Sequence, residues 1–203
     1  MAATTANAQR IGLTFGLNSS KIANENAENL VGFNGGIKAD ASLTDTKLGN
    51  VFVEGELLFS RLGYHYENNF LGLKKVEFDE KYSYLQLPIS VGHNFKIIDN
   101  LTIGPKFGVY FGFGLKGESE NNIYNGKEIN LFKDLEDYNI GNVNLVENYK
   151  RFDFGIGLGL NINVFEHYQL GLGYNWGCVE FNDNQKEEGY KNRNFNLNVA
   201  YMF

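Results

Sequence analysis

The run RFDFGIGLGLNIN, residues 151–163, alternates large apolar residues with Gly, Asn or charged residues over its whole length. A period of two places every large side chain on one face of a β-strand, whereas a helix would distribute them around its axis. The small and polar residues then occupy the opposite face. The run therefore predicts a β-strand with one apolar face and one polar face.

Seven further segments show the same alternation, beginning near residues 11, 31, 51, 85, 103, 170 and 195. The connections between the segments alternate between long and short. Bacterial membrane barrels combine short periplasmic turns with long extracellular loops. The sequence thus predicts an all-β protein, an eight-stranded antiparallel up-and-down transmembrane β-barrel with both termini periplasmic. Long loops are predicted at 19–29, 62–81, 116–150 and 179–192, and short turns at 42–47, 96–100 and 165–167.

A soluble barrel of the lipocalin type, with its apolar face turned inward around a lipid, would show the same alternation. The polar face distinguishes the two arrangements, because Gly and Asn at alternate positions suit the crowded interior of a narrow cylinder. We therefore expect the apolar face to meet lipid. The isolated charges should pair inside the lumen, since desolvated charges need partners, although a narrow conducting path stays open as an alternative. The expected interior ionic cluster comprises Lys38, Glu54, Glu56, Lys106, Arg151 and Asp153.

Aromatic residues mark the predicted strand ends and the C-terminus. The last strand ends with Tyr201 and Phe203, a pattern similar to the signal that the barrel assembly machinery of the outer membrane recognises. Amphipathic rings near strand ends favour interfacial girdles. The candidate girdle residues are Tyr64, Tyr66, Tyr82, Tyr84, Tyr149, Tyr168, Trp176 and Tyr201.

Two prolines, Pro88 and Pro105, fall within predicted strands. Proline has no N–H and removes a hydrogen bond from the β-ladder. Both prolines lie at similar distances from the 96–100 turn. We therefore expect one shared irregularity, such as a bulge, where their two strands meet.

Composition excludes several functional classes. A net charge of −6 argues against a nucleic-acid partner, which would require clustered Lys and Arg. The single cysteine, Cys178, cannot form an internal disulfide or a redox pair. The three histidines, His65, His93 and His167, fall at unrelated places in the predicted topology. The sequence thus predicts no catalytic, cofactor-binding or metal-binding residues.

The N-terminal stretch predicts export. Ala6-Asn7-Ala8 has the small-x-small form of a signal-peptidase site. We interpret residues 1–8 as the remainder of a signal peptide preceded by an added Met1, and residues 9–203 as one barrel domain. This arrangement predicts a mature protein of the outer membrane of a Gram-negative cell.

The predicted long loops are acidic, and the 116–150 loop also carries apolar residues. Its acidic groups could bridge through cations to lipopolysaccharide, and its apolar residues could bind an extracellular protein or glycan. The candidate contact residues are Ile129, Leu131, Phe132 and Leu135. We therefore predict a non-enzymatic barrel with a structural or surface-interaction role. A narrow passive channel, a secretion-associated barrel and a soluble lipid binder are the alternatives.

The chain resembles the Bacteroidetes outer-membrane β-barrel family called PorT-like. The resemblance rests on Tyr84–Ile89 (YLQLPI), Arg151–Gly159 and Gly171–Tyr174 (GLGY). It implies a barrel fold and no catalytic residues. Some relatives serve gliding or protein secretion, but no residue of this sequence assigns that role.

Overall fold

The structure is a computed structural model that describes residues 7–23, 27–70, 74–121, 129–130, 150–180 and 191–203. The residues described form β-strands and their connections. No helix among them is long and apolar enough to cross a membrane. The strands are β1 Asn7–Ile22, β2 Ala27–Thr46, β3 Gly49–Phe70, β4 Lys74–Ile98, β5 Leu101–Asn121, β6 Ile129–Asn130, β7 Phe152–Val164, β8 Tyr168–Gly177 and β9 Asn192–Met202.

The strands close into an antiparallel up-and-down barrel. Each long strand pairs with its neighbours along the chain, β4 pairs with β5, and β9 returns to pair with β1. Among the described residues, the two-residue β6 pairs with β5 beyond the end of the β5–β7 ladder. The eight long strands confirm the predicted fold class. Closure leaves no free sheet edge within the barrel wall, so the ladder satisfies the backbone groups that lipid cannot.

The strands are staggered around the cylinder. A path that starts at Ile11 and moves from each residue to its paired residue on the next strand returns to β1 after one circuit of the barrel. It returns at Lys21, which lies ten residues after Ile11. A stagger of this kind requires strands that tilt relative to the barrel axis. Residues at the same height along the barrel axis are therefore not the residues that pair with each other across the strands.

The apolar face points outward. Leu158, Phe15 and Ile11 are 58%, 57% and 61% exposed, while the inward-facing Lys38 and Glu54 are 4% and 2% exposed. A continuous exposed apolar surface is unfavourable in water and matches a lipid environment. The soluble lipid-binder alternative is therefore wrong, because its cavity would require the opposite arrangement.

The predicted loop at 62–81 is largely wrong. β3 continues to Phe70 and β4 begins at Lys74, and their backbones stay paired from Leu62↔Tyr82 to Phe70↔Lys74. Polar and charged residues such as His65, Asp79 and Lys81 replace the apolar outward residues here, which gave the segment the composition of a loop. The 165–167 turn is confirmed, and Phe165 and Glu166 adopt the positive φ values of 53° and 51° that suit a tight hairpin.

The expectation of one shared bulge at the prolines is also wrong. Pro88 lies where β3–β4 pairing stops at Gly55↔Ile89 and resumes at Leu58↔Gln86. Pro105 lies where β4–β5 pairing stops at Gly92↔Lys106 and resumes at Phe95↔Ile103. Each proline therefore interrupts a different ladder, and the register is unchanged across both gaps.

Candidate functional site

An ionic cluster occupies the barrel interior, with Glu54 of β3 at its centre. Lys38 Nζ of β2 lies 2.8 Å from Glu54 Oε2. Lys106 Nζ of β5 forms a salt bridge with Glu54 Oε1. Asn161 Nδ2 of β7 donates a 2.7 Å hydrogen bond to Glu54 Oε2. One carboxylate thus connects side chains from β2, β5 and β7 across the lumen.

Glu56 completes the charge balance of this cluster. Its Oε1 lies 3.3 Å from Lys38 Nζ and 3.6 Å from Lys106 Nζ. Two carboxylates therefore face two ammonium groups. Gly159 provides room for the Lys106 stem, because a Cβ at this position would lie 2.9 Å from Lys106 Cε. Such an arrangement offsets the desolvation of buried charges and places four side chains inside the lumen at this height.

Arg151 and Asp153 do not belong to this cluster, although the sequence analysis grouped them with it. The Arg151 side chain is exposed, and its Nη1 donates a 3.3 Å hydrogen bond to the Gly114 carbonyl. Asp153 is buried, and its Oδ2 accepts hydrogen bonds from Tyr110 Oη at 3.0 Å and Asn192 Nδ2 at 2.6 Å. Sequence reasoning missed Tyr110 and Asn192, which the strict inward alternation of their strands could have indicated.

A further polar network lies at the end of the barrel that carries the short turns. Arg10 donates from Nε to Asp40 Oδ1 at 3.0 Å and from Nη2 to Asp40 Oδ2 at 2.6 Å. Asn163 donates to Asn94 Oδ1 at 3.3 Å and accepts from Gln169 Nε2 at 2.8 Å. These residues come from five different strands. The interior is thus polar along much of its length.

Tyr64, Tyr82 and Tyr84 are buried inside the barrel, so their predicted place in an interfacial girdle is wrong. Glu80 Oε2 accepts hydrogen bonds from Tyr64 Oη at 2.6 Å and from Tyr82 Oη. The rings of Tyr64 and Tyr82 stack at 6.2 Å. These inward tyrosines lie toward the end of the lumen opposite the short turns. The side chain of Tyr66 and all of Tyr149 lie outside the described part of the chain.

Tyr201 and Phe203 lie on the outer surface at the short-turn end, 43% and 69% exposed. The Tyr201 ring contacts Tyr168 at 5.5 Å and Phe203 at 5.4 Å, both edge-on. This patch places amphipathic rings at one boundary of the apolar face. Recognition of Tyr201 and Phe203 by the assembly machinery stays a prediction.

One wall of the lumen is lined by small residues and amides. Gly157, Gly171, Asn196 and Asn198 border a cavity beside Lys38 and Lys106. Asn198 Oδ1 and both side-chain polar atoms of Asn18 are buried with no hydrogen-bond partner among the described residues. Buried amides of this kind need water. Residues of all eight long strands line this cavity, so the described side chains do not fill the interior completely beside the ionic cluster.

An exposed ion pair lies on the outer surface beyond the apolar face. Lys116 and Arg61 both bind the Glu118 carboxylate. Hydrogen bonds from Lys116 and then Arg61 hold the pKa of Glu118 below its ordinary value of 4.5. The contribution of these ionic contacts to the stability of the fold is complete above pH 4.5, and it is lost as the pH falls through the lowered pKa of Glu118.

We therefore expect the carboxyl carbon of Glu118 to titrate below pH 4.5 in an NMR experiment. An Arg61→Gln variant should move this titration upward, because one of the two hydrogen-bonding cations is removed. An unchanged midpoint in that variant would show that Arg61 does not contribute.

The candidate loop contact surface lies mostly outside the described residues. Leu131, Phe132 and Leu135 are not described, and Ile129 is placed only by its backbone pairing with Ser119. Among the described residues, His, Cys, Asp and Glu form no group of three that could hold a metal ion. His65 Nδ1 lies 2.6 Å from Asp79 Oδ1. His65 lies toward the end of the barrel opposite the short turns, whereas His93 and His167 lie near the short turns.

Comparison with solved structures finds outer-membrane proteins. The attachment invasion locus protein Ail of Yersinia pestis, solved with the heparin analogue sucrose octasulfate, is 16% identical over 96% of this chain and 99% of that chain, with a TM-score of 0.45. Neisserial surface protein A is 11% identical over 95% of each chain, with a TM-score of 0.48. The outer membrane enzyme PagL is 10% identical over 91% of this chain and 97% of that chain, with a TM-score of 0.42.

A comparison with curated protein sequences finds no match. The family model described as "Outer membrane protein beta-barrel domain" matches residues 1–203. This match agrees with the closed eight-stranded wall, its exposed apolar surface and its charged interior. The chain belongs to the outer membrane protein β-barrel domain family, and it is a small barrel of the bacterial outer membrane.

Proposed function

We propose that this protein is a non-enzymatic surface-interaction barrel with both termini in the periplasm. The observation that supports this role is a tall sheet, which we define as residues 61–70 of β3, 74–83 of β4 and 116–121 of β5. It continues beyond the exposed apolar residues Phe59, Leu85 and Phe113. A paired, twisted sheet above the membrane offers a rigid platform for an extracellular protein or glycan.

The interior geometry supports the same role. The cluster of Lys38, Glu54, Glu56 and Lys106 obstructs the lumen with balanced charge. Glu80 and its two tyrosines add a second obstruction nearer the tall sheet. If these side chains close the lumen, the outer end of the barrel is the place where binding can occur. The motifs Tyr84–Ile89 and Arg151–Gly159 additionally favour a PorT-like subgroup of the family.

Orientation is tested by epitope tags in intact cells. A tag at residues 71–73 should bind antibody without permeabilisation, whereas a tag at residues 47–48 should bind only after the outer membrane is opened. The opposite pattern would overturn the proposed topology. Both insertions lie between paired strands, so neither removes a residue of the barrel wall.

Binding is tested with a trimmed barrel. Residues 66–78 are replaced by Asn-Gly, which joins the directly paired His65 and Asp79 without changing register. We expect the trimmed protein to keep its heat-modifiable gel mobility and to lose the binding of whole cells to a panel of immobilised glycans and extracellular proteins. Binding that survives trimming, or a full-length barrel that binds no member of the panel, would contradict the proposal.

A narrow channel is the second candidate, and the Gly and Asn wall beside the ionic cluster favours it. If the cluster obstructs the lumen, planar bilayers containing the wild type should show no conductance steps. Steps that change in a Lys106→Gln variant would replace the surface-interaction role with the channel.

A further inference from the structure

Basic side chains surround the outer surface of the barrel where the apolar face ends, on the side of the tall sheet. We call Lys21, Arg61, Lys116, Arg151 and Arg193 the outer basic ring. These residues come from, or directly precede, five different strands, namely β1, β3, β5, β7 and β9. When the ten-residue stagger is taken into account, they lie within about two residues of a common height.

Exposed apolar residues lie directly below this ring. Leu17 precedes Lys21 on the outward face of β1, and Phe195 follows Arg193 on the outward face of β9. Phe59, Leu115 and Phe152 hold the equivalent places beside Arg61, Lys116 and Arg151. The ring therefore lies at the height where lipid headgroups meet the barrel. On the outer surface at the opposite boundary, Lys96 pairs with Asp99.

Lys21 and Arg193 form the most informative part of the ring. They are directly opposite each other in the β1–β9 ladder and share its outward face. Like charges directly opposite in an antiparallel pair are destabilising. Among the described residues, neither side chain bonds with an acidic group, whereas Arg61 and Lys116 share Glu118. An anion between Lys21 and Arg193 would convert this repulsion into attraction.

The surroundings of the pair suit a lipid phosphate. Arg193 Nη1 donates to the carbonyl oxygens of Gly177 at 3.2 Å and Asn192 at 2.9 Å, which fixes the guanidinium and leaves its other N–H groups for a ligand. Trp176 is the directly paired neighbour of Arg193 on β8. An indole at this height is typical of the membrane interface.

We propose that the outer basic ring binds the phosphate groups of outer-leaflet lipid, with Lys21 and Arg193 as its principal site. The proposal rests on the orientation given under the proposed function. A lipid phosphate fits better than a free one, because Phe195 offers apolar surface directly below the charges and Leu17 continues it below Ser19. Lys and Arg usually bind such phosphates through charge-assisted hydrogen bonds.

The test uses the full chain in maltoside micelles, titrated with bisphosphorylated lipid A. Trp176 is the only tryptophan in the chain, so its fluorescence reports binding at this site. The double variant Lys21→Gln/Arg193→Gln should weaken binding about 30-fold, because each basic residue near a membrane surface contributes about 1 kcal/mol to the binding free energy. Dephosphorylated lipid A should bind the wild type as weakly as the bisphosphorylated lipid binds the double variant.

Two matched variants control this result. Lys47→Gln/Lys96→Gln removes the same charge at the opposite boundary and should keep wild-type affinity. Lys21→Arg/Arg193→Lys keeps the charge and should also bind, which separates phosphate recognition from misfolding. Equal loss in the Lys47 and Lys96 variant, equal binding of the dephosphorylated lipid, or the same fluorescence change with inorganic phosphate would overturn the proposal.

Micelles have no inside or outside, so this titration does not depend on how the barrel is inserted in cells. Reversed epitope exposure with intact lipid A binding would overturn the proposed topology and leave the site standing. Correct exposure with no phosphate-dependent binding would overturn the site alone.

Discussion

A Glu54→Gln barrel should unfold with a free energy about 3–5 kcal/mol smaller than that of the wild type, the usual cost of breaking a buried ion pair. The amide keeps the shape of the side chain but removes the charge that contacts Lys38 and Lys106. Glu56 then faces two ammonium groups alone in a site from which water is largely excluded. Urea unfolding in lipid vesicles, followed by the Trp176 emission, measures the change.

Asp45→Asn is the matched control for this variant. Asp45 lies exposed near the end of β2, so its neutralisation removes one negative charge outside the ionic cluster. We expect its effect to stay within about 0.5 kcal/mol, as for most surface substitutions. A Glu54→Gln barrel that unfolds at the wild-type urea concentration would show that the cluster contributes no stability. Replacing both charges, as in Glu54→Gln/Lys106→Met, should recover part of the loss.

Leu158→Arg should lower the unfolding free energy in vesicles by about 2–4 kcal/mol, the cost of an arginine at the bilayer midplane on a barrel surface. Leu158 lies halfway along β7 and is 58% exposed on the outward face. The charge would have to enter hydrocarbon or pull water and headgroups toward it. The same vesicle unfolding assay measures the loss.

Leu48→Arg provides the comparison. Leu48 lies in the turn between β2 and β3 and is 67% exposed, so an arginine there reaches water without crossing the apolar face. Its cost should be about 0–1 kcal/mol, as near the membrane interface. Equal effects at Leu158 and Leu48 would mean that the outward surface of β7 does not contact lipid.

The strand count could be predicted from the sequence because it follows from local alternation, and the outward direction of the apolar side chains could be predicted from the Gly and Asn residues of the opposite face. In runs such as 151–163, large apolar residues alternate with small or polar residues at every position. The upper halves of β3 and β4 could not be predicted in the same way. Their outward residues change from apolar to polar above the membrane, while the backbone pairing continues.

The composition of the interior clusters could be predicted only in part. Alternation shows that Glu54, Glu56, Lys106 and Asp153 point inward, but it does not show which of them meet. That depends on the stagger of the whole barrel, which places Lys106 beside Glu54 and Asp153 beside Tyr110 and Asn192. The prediction for Arg151 is wrong because this residue precedes β7 and its side chain is exposed. Closure is a global property that no single segment encodes.

Because the described strands differ in length, the barrel wall is higher on one side than on the other. β3 and β4 contain 22 and 25 residues, whereas β8 and β9 contain 10 and 11. From Arg61 to Phe70, a strand that rises about 3.3 Å per residue and tilts by about 40° gains roughly 20 Å in height. Among the described residues, β3 and β4 thus extend farther above the lipid surface than β8 and β9 do. On this part of the chain, a ligand that diffuses in the plane of the membrane meets Lys21 and Arg193 on the side of the short strands, and one that arrives from the medium meets β3 and β4 first.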